Sequence, residues 1–146
     1  MRKQIALACE VHLPLITHCR GAYESFVPIL SEERADRVGG AVHNFEADLT
    51  TAKKLLDMGF LLSFGGTITY PDQTALREVV RQIPLDGILL ETDSPYMPLY
   101  QQATQQNEPA NVAEVASTLA EIKGIGVDEL IEAVYANFAN LLKIHP

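Results

Sequence analysis

The sequence is poor in the features that would make it a disulfide-bonded, membrane-spanning or charge-driven nucleic-acid protein. Only two of its 146 residues are cysteine, Cys9 and Cys19. Two cysteines make neither a disulfide framework nor a metal-type pair, so both are expected as reduced thiols in a cytoplasmic protein. The apolar runs are only a handful of residues long, too short for a membrane-spanning helix. No basic segment followed by an apolar run opens the sequence, so no signal peptide is expected. Basic residues are scarce: 11 Lys and Arg stand against 19 Asp and Glu, for a net charge of −8. Proteins that grip nucleic acid through charge alone are usually basic, which disfavours a passive DNA-binding module. An enzyme whose bound metal ions supply positive charge locally remains compatible with this acidity.

What is present describes one globular domain over residues 1–146. Hydrophobic residues make up 47%, an ordinary globular share, and the length suffices for one sizeable core. There is no internal repeat, low-complexity tract or linker. Helical spacing over Arg2–His12 precedes an apolar run, Leu13–Thr17. Ala22–Arg34 is helical in composition but holds Pro28, which predicts a break there, with Pro28 opening a second turn. Arg37–His43 is strand-like. Asp48–Met58 predicts a helix capped by Asp48, Thr50 or Thr51, with Gly59 just past its end. Phe60–Phe64 is the third strand. Asp72 is expected to cap a helix over Gln73–Gln82, and Gly87–Leu90 is the fourth strand. A long loop, Thr92–Glu108, leads to two helices, Pro109–Lys123 and Asp128–Lys143. This alternation predicts an α/β fold with a parallel sheet. The strands are apolar almost throughout, which predicts cover on both faces.

Three strand ends carry chemistry. His18 ends the first strand, His43 the second, and Asp93 follows the fourth in "GILLETDSPYMPL". Active sites of parallel α/β folds sit at the carboxyl ends of strands. Two imidazoles and a carboxylate at neighbouring ends make a candidate zinc or manganese site, because adjacent strands lie about 4.8 Å apart. The competing reading is a set of hydrogen-bonded structural residues. Arg20, two residues after His18, can hold a phosphate bidentately or make a surface ion pair. Gly65-Gly66 can offer backbone N–H groups to an anion or serve as a turn. His12 is expected at an exposed helix end, and His145 in a short tail.

The segments "LPLITHCRGA", "GAVHNF", "LLSFGG", "LLETDSPYM" and "NEPANVAEVASTLAEIKGIGVDEL" resemble, in order and spacing, the TatD family of metal-dependent deoxyribonucleases. The resemblance covers nearly the whole chain and extends to Asn137 of "ANFANLL". It implies a TIM barrel of the amidohydrolase-like type that hydrolyses DNA phosphodiesters with metal-activated water. It further implies that His18 and His43 are metal ligands on the fifth and sixth barrel strands. Asp93 would be a ligand and the catalytic acceptor of the water's proton. Arg20 would lie near the substrate phosphate, and Glu91 would support the ligands or the strand end. The complete site would hold two divalent ions: zinc, manganese or magnesium. Asn44 and Glu46 depart from the family's usual residues, as does "LYQQATQQ", which replaces a small basic segment.

The family's first strand ends in His-x-His and its fourth in a bridging Glu, and neither segment occurs here. A complete barrel takes about 250 residues. The resemblance therefore implies a partial (β/α) barrel: four parallel strands of the carboxyl-terminal half followed by two helices. Two readings follow. One is a DNA-cleaving metal-dependent hydrolase weakened by lost ligands. The other is a truncated, non-catalytic remnant stabilised by self-association or a partner. Either leaves open strand edges, so a homo-oligomer or a complementing half-barrel chain is expected.

Overall fold

A computed structural model describes residues 1–144; His145 lies outside the described residues. Four strands form one sheet: β1 (Leu15–His18), β2 (Gly40–His43), β3 (Phe60–Phe64) and β4 (Ile88–Leu90). The sheet order is β1-β2-β3-β4 and every pairing is parallel. Helix α1 (Arg2–Val11) precedes β1. Helices α2 (Tyr23–Glu32), α3 (Leu49–Asp57) and α4 (Thr74–Gln82) connect successive strands, and α5 (Val112–Lys123) and α6 (Val127–Leu142) follow β4. The α/β fold with four parallel strands and two final helices is as the sequence predicts.

Strands that follow one another in space and sequence, each joined by a crossover of the same hand, put their helices on one side of the sheet. One sheet face accordingly packs into the core. Val42, Leu62, Phe64 and Ile88 are buried there with Leu30, Leu55, Val80 and Leu119 from the helices. The other face carries Ile16, Ala41, Ser63 and Leu89, which line an open cavity of about 460 Å³. Ile16 is 76% exposed, so the expectation of cover on both faces fails at β1. In four strands, crossover helices cannot reach the second face.

Local differences from the sequence reading have physical causes. Pro28 does not break α2. It removes only the bond to the Glu24 carbonyl, both residues are exposed, and water can serve that oxygen. Phe26 and Leu30, on either side, are buried and hold the helix to the core. The run Arg37–His43 gives strand only from Gly40, because a 3-10 turn occupies Ala35–Arg37 and Gly39 sits at φ 63°. Asp48 is the residue that caps α3, its Oδ1 accepting the Thr51 N–H at 2.7 Å. Asp72 does not cap α4; it lies in a turn, and Gln73 takes the cap position without a side-chain bond. Pro109 opens a 3-10 turn, Pro109–Asn111, rather than α5 itself. His12 is exposed at the end of α1, as expected.

Two side chains anchor the final helices. The Lys123 ammonium donates to the Ile83 carbonyl at 2.6 Å, serving the orphan end of α4. The buried Asn137 amide donates to the carbonyls of Leu85 and Ile88, both at 2.9 Å, and fixes α6 to β4.

Candidate metal centre

His18 and His43 are register partners at the ends of β1 and β2. Alternation along parallel strands gives register partners the same face, here the open one. Their ring centroids are 5.3 Å apart with planes inclined by 40°. His18 is exposed and His43 half-buried.

Asp93 lies three residues past β4 in the left-handed region, at φ 56°. Aspartate is among the few side chains that tolerate this conformation. The turn is held locally by the Tyr96 N–H, which donates to the Asp93 carbonyl at 2.8 Å. It is held at longer range by Asn107, a buried residue. The Asn107 amide donates to the carbonyls of Thr92 (2.6 Å) and Met97 (2.9 Å). Its Oδ1 accepts from the Glu108 N–H and from Asn111 Nδ2. A buried side chain thus closes the loop around Asp93. Gly66 packs beneath the same loop: a Cβ there would lie 2.1 Å from the Met97 carbonyl oxygen. Gly65 and Gly66 are both buried, which favours their reading as a tightly packed turn over an anion cradle.

His43 is the hub of the centre. Its Nε2 lies 3.6 Å from Asp93 Oδ1, and its Nδ1 lies 2.7 Å from Glu91 Oε1. Glu91 Oε1 is buried and has no hydrogen bond of standard geometry. Glu91 Oε2 accepts the Asn44 N–H at 3.2 Å. Imidazole nitrogens and carboxylate oxygens are the donor types that divalent zinc or manganese takes. In donor chemistry these residues fit such an ion. They come as adjacent pairs, His18 beside His43 and His43 beside Asp93. Among the described residues, no three His, Cys, Asp or Glu side chains form a closed group that could hold an ion.

Arg20 is exposed, with an ion pair to none of the described residues. Among the described residues, no ion pair joins it to Asp93, whose pairing is with His43. Cys19, between His18 and Arg20, is buried, and burial pushes its thiol pKa up. Asn107 is the residue of this centre to which sequence reasoning assigned no role. Its signal was an amide ahead of a helix-opening proline, at the end of the loop that holds the candidate aspartate.

The comparisons agree with this architecture. The model of the TatD related DNase family matches residues 1–143. The metal-dependent hydrolase YcfH of Escherichia coli K12 is 41% identical over 140 residues, which are 96% of this chain and 53% of that protein. The metal-dependent hydrolase YabD of Bacillus subtilis is 41% identical over 144 residues, 99% of this chain and 56% of that protein. The crystal structure of YjjV, a TatD homologue from Escherichia coli K12, superposes with a TM-score of 0.91 at 34% identity. The match covers 98% of this chain and 55% of YjjV. The chain thus spans about half the length of the curated relatives it matches. In fold it is a partial barrel, and by descent it belongs to the TatD family of metal-dependent hydrolases.

Proposed function

We propose that the chain contributes the second half of a metal-dependent phosphodiesterase site that cleaves DNA. The observation that supports this reading most is the 3.6 Å approach of His43 Nε2 to Asp93 Oδ1 beside His18, at the carboxyl end of a parallel sheet. In this reading His18 and His43 hold a divalent ion through ring nitrogens, and Asp93 serves a second ion. Bound ions would supply Lewis acidity and lower the pKa of a water. Asp93 accepts the proton of the attacking water, and Arg20 steadies a substrate phosphate from the rim. The Asn107-held loop keeps the Asp93 carboxylate in place. The free, buried thiols of Cys9 and Cys19 accord with a cytoplasmic setting.

The competing reading, a non-catalytic remnant, draws support from one observation: the donors come in pairs rather than as a closed set of three. A single experiment separates the two. The chain is incubated with manganese and linear duplex DNA, alone and mixed with a polypeptide carrying the family's first four strands. Alone it should cleave far more slowly than the mixture, because misplacing a reacting group by about 1 Å costs roughly 100-fold. Asp93→Asn should abolish the restored cleavage. A mixture that associates but leaves DNA intact rejects the nuclease reading. Robust cleavage by the lone chain, sensitive to Asp93→Asn, rejects the half-site reading and implies ligands from a second copy.

A further inference from the structure

β2 and β4 are not neighbours; β3 lies between them. With strands spaced at about 4.8 Å, two spacings separate their ends by nearly 10 Å. Glu91, immediately past β4, nevertheless meets two groups at the end of β2: His43 Nδ1 through Oε1 and the Asn44 N–H through Oε2. Its route crosses the tip of β3 at Gly65. A Cβ on Gly65 would already stand 3.4 Å from Glu91 Cγ, so a longer side chain there would occupy the path. The start of the route is fixed as well, because the Glu91 N–H donates to the Phe64 carbonyl at 3.0 Å.

The chemistry at the far end is one-sided. Glu91 Oε1 is buried without a standard hydrogen bond, and a buried unmatched carboxylate oxygen is costly. His43 Nδ1 stands 2.7 Å away, out of line for a standard hydrogen bond, and a turn of the ring into line would relieve the oxygen only with Nδ1 as the donor. A bare Nδ1 would set its lone pair against that of the carboxylate. When the ring is neutral, the proton therefore sits on Nδ1 and the free lone pair on Nε2, the nitrogen nearer Asp93.

We propose that Glu91 is a positioning residue: reaching over Gly65, it locks His43 in the Nδ1-protonated tautomer and leaves Nε2 free as a donor atom at the candidate site. The tautomer stands without any metal. Its consequence for metal holding rests on the reading of His43 as a ligand.

The test reads the imidazole directly. Chain labelled with nitrogen-15 is kept free of metal by chelator at a pH well above the imidazole range, and two-bond proton–nitrogen spectra are recorded. His43→Gln assigns the signals. The wild type should show His43 protonated at Nδ1, the opposite of the tautomer favoured by free histidine. In Glu91→Gln the single amide oxygen stays with the Asn44 N–H and the NH2 faces Nδ1 as a donor, so the pattern should shift towards protonation at Nε2. Glu91→Ala should shift it towards protonation at Nε2, as should Glu91→Asp, which is one methylene shorter. Protonation at Nε2 in the wild type overturns the proposal whether or not the variants fold. So does an unchanged pattern in Glu91→Ala or Glu91→Asp. Zinc calorimetry then tests the ligand reading separately: losing such a partner weakens metal affinity about 10- to 100-fold. A shifted tautomer with unchanged zinc affinity leaves the positioning role intact and removes His43 from the ligand set.

Discussion

Gly66, just past β3, is in direct backbone contact with Met97, in the loop that carries Asp93. A Cβ on Gly66 would stand 2.1 Å from the Met97 carbonyl oxygen and 3.0 Å from that of Pro98. Backbone cannot swing aside as a flexible side chain can. Gly66→Ala should therefore displace the loop that carries Asp93 and destabilise the fold by about 1–3 kcal/mol, the range for overpacking. Urea unfolding measures this, and an unchanged midpoint would show that the loop is not packed as described.

Asn107 acts on the same loop from the other side. Asn107→Ala removes the donor for the Thr92 and Met97 carbonyls and the acceptor for Asn111. At roughly 1 kcal/mol per net hydrogen bond, the loss of these three should be about 3 kcal/mol. Amide exchange should quicken in the 92–108 segment and much less in the sheet. Loss of protection in β2 and β3 to the same degree would mean that the loop and the sheet open as one unit.

The open face bears on assembly. Ile16 on β1 is 76% exposed and Tyr135 on α6 is 62% exposed, and each lies beside an edge strand. Exposed apolar surface beside an unpaired strand invites association. The purified chain should sediment as a dimer or larger, and Ile16→Lys should shift it towards the monomer. A wild-type chain that stays monomeric at high concentration contradicts this.

Alkaline pH should reveal Tyr23. Burial is the main cause that pushes its phenol up to about 12 from an ordinary 10.0. Its hydroxyl lies 3.4 Å from the Glu46 N–H, and its ring packs edge-on to Phe26 and Phe45. The folded state holds this proton more tightly than the unfolded chain does. The associated stability is complete below pH 10 and drains away as the pH rises towards about 12. Chemical denaturation across that window should show the decline in the wild type and a shallower one in Tyr23→Phe. Equal slopes would refute the assignment.

Much of this was legible in the sequence because it is local. Short apolar runs marked all four strands, and His18, His43 and Asp93 at three of the four tips marked the candidate site. The neighbouring placement of His18 and His43 follows from sheet order alone. What escaped was settled by tertiary context. Pro28 reads as a helix breaker until the burial of Phe26 and Leu30 is known, and Asp72 reads as a cap until the turn before α4 is seen. The span of Glu91 to β2 joins residues 47 positions apart across an intervening strand, and no spacing rule predicts it. Asn107 escaped because its partners are carbonyls, which are present at every residue and leave no mark in the sequence.

The sheet order repeats the chain order from β1 to β4. Each strand therefore finds its partner one helix away, and no pairing waits for a distant segment to arrive. Folding rates fall as contacting residues become more separated in sequence, since closing long loops is entropically costly. Such a sheet can grow one strand at a time from either end. Dividing an eight-stranded closed ring of this kind into two four-stranded arcs severs only two strand pairings. All three ladders of this arc lie within it, so their pairing calls on no strand outside it.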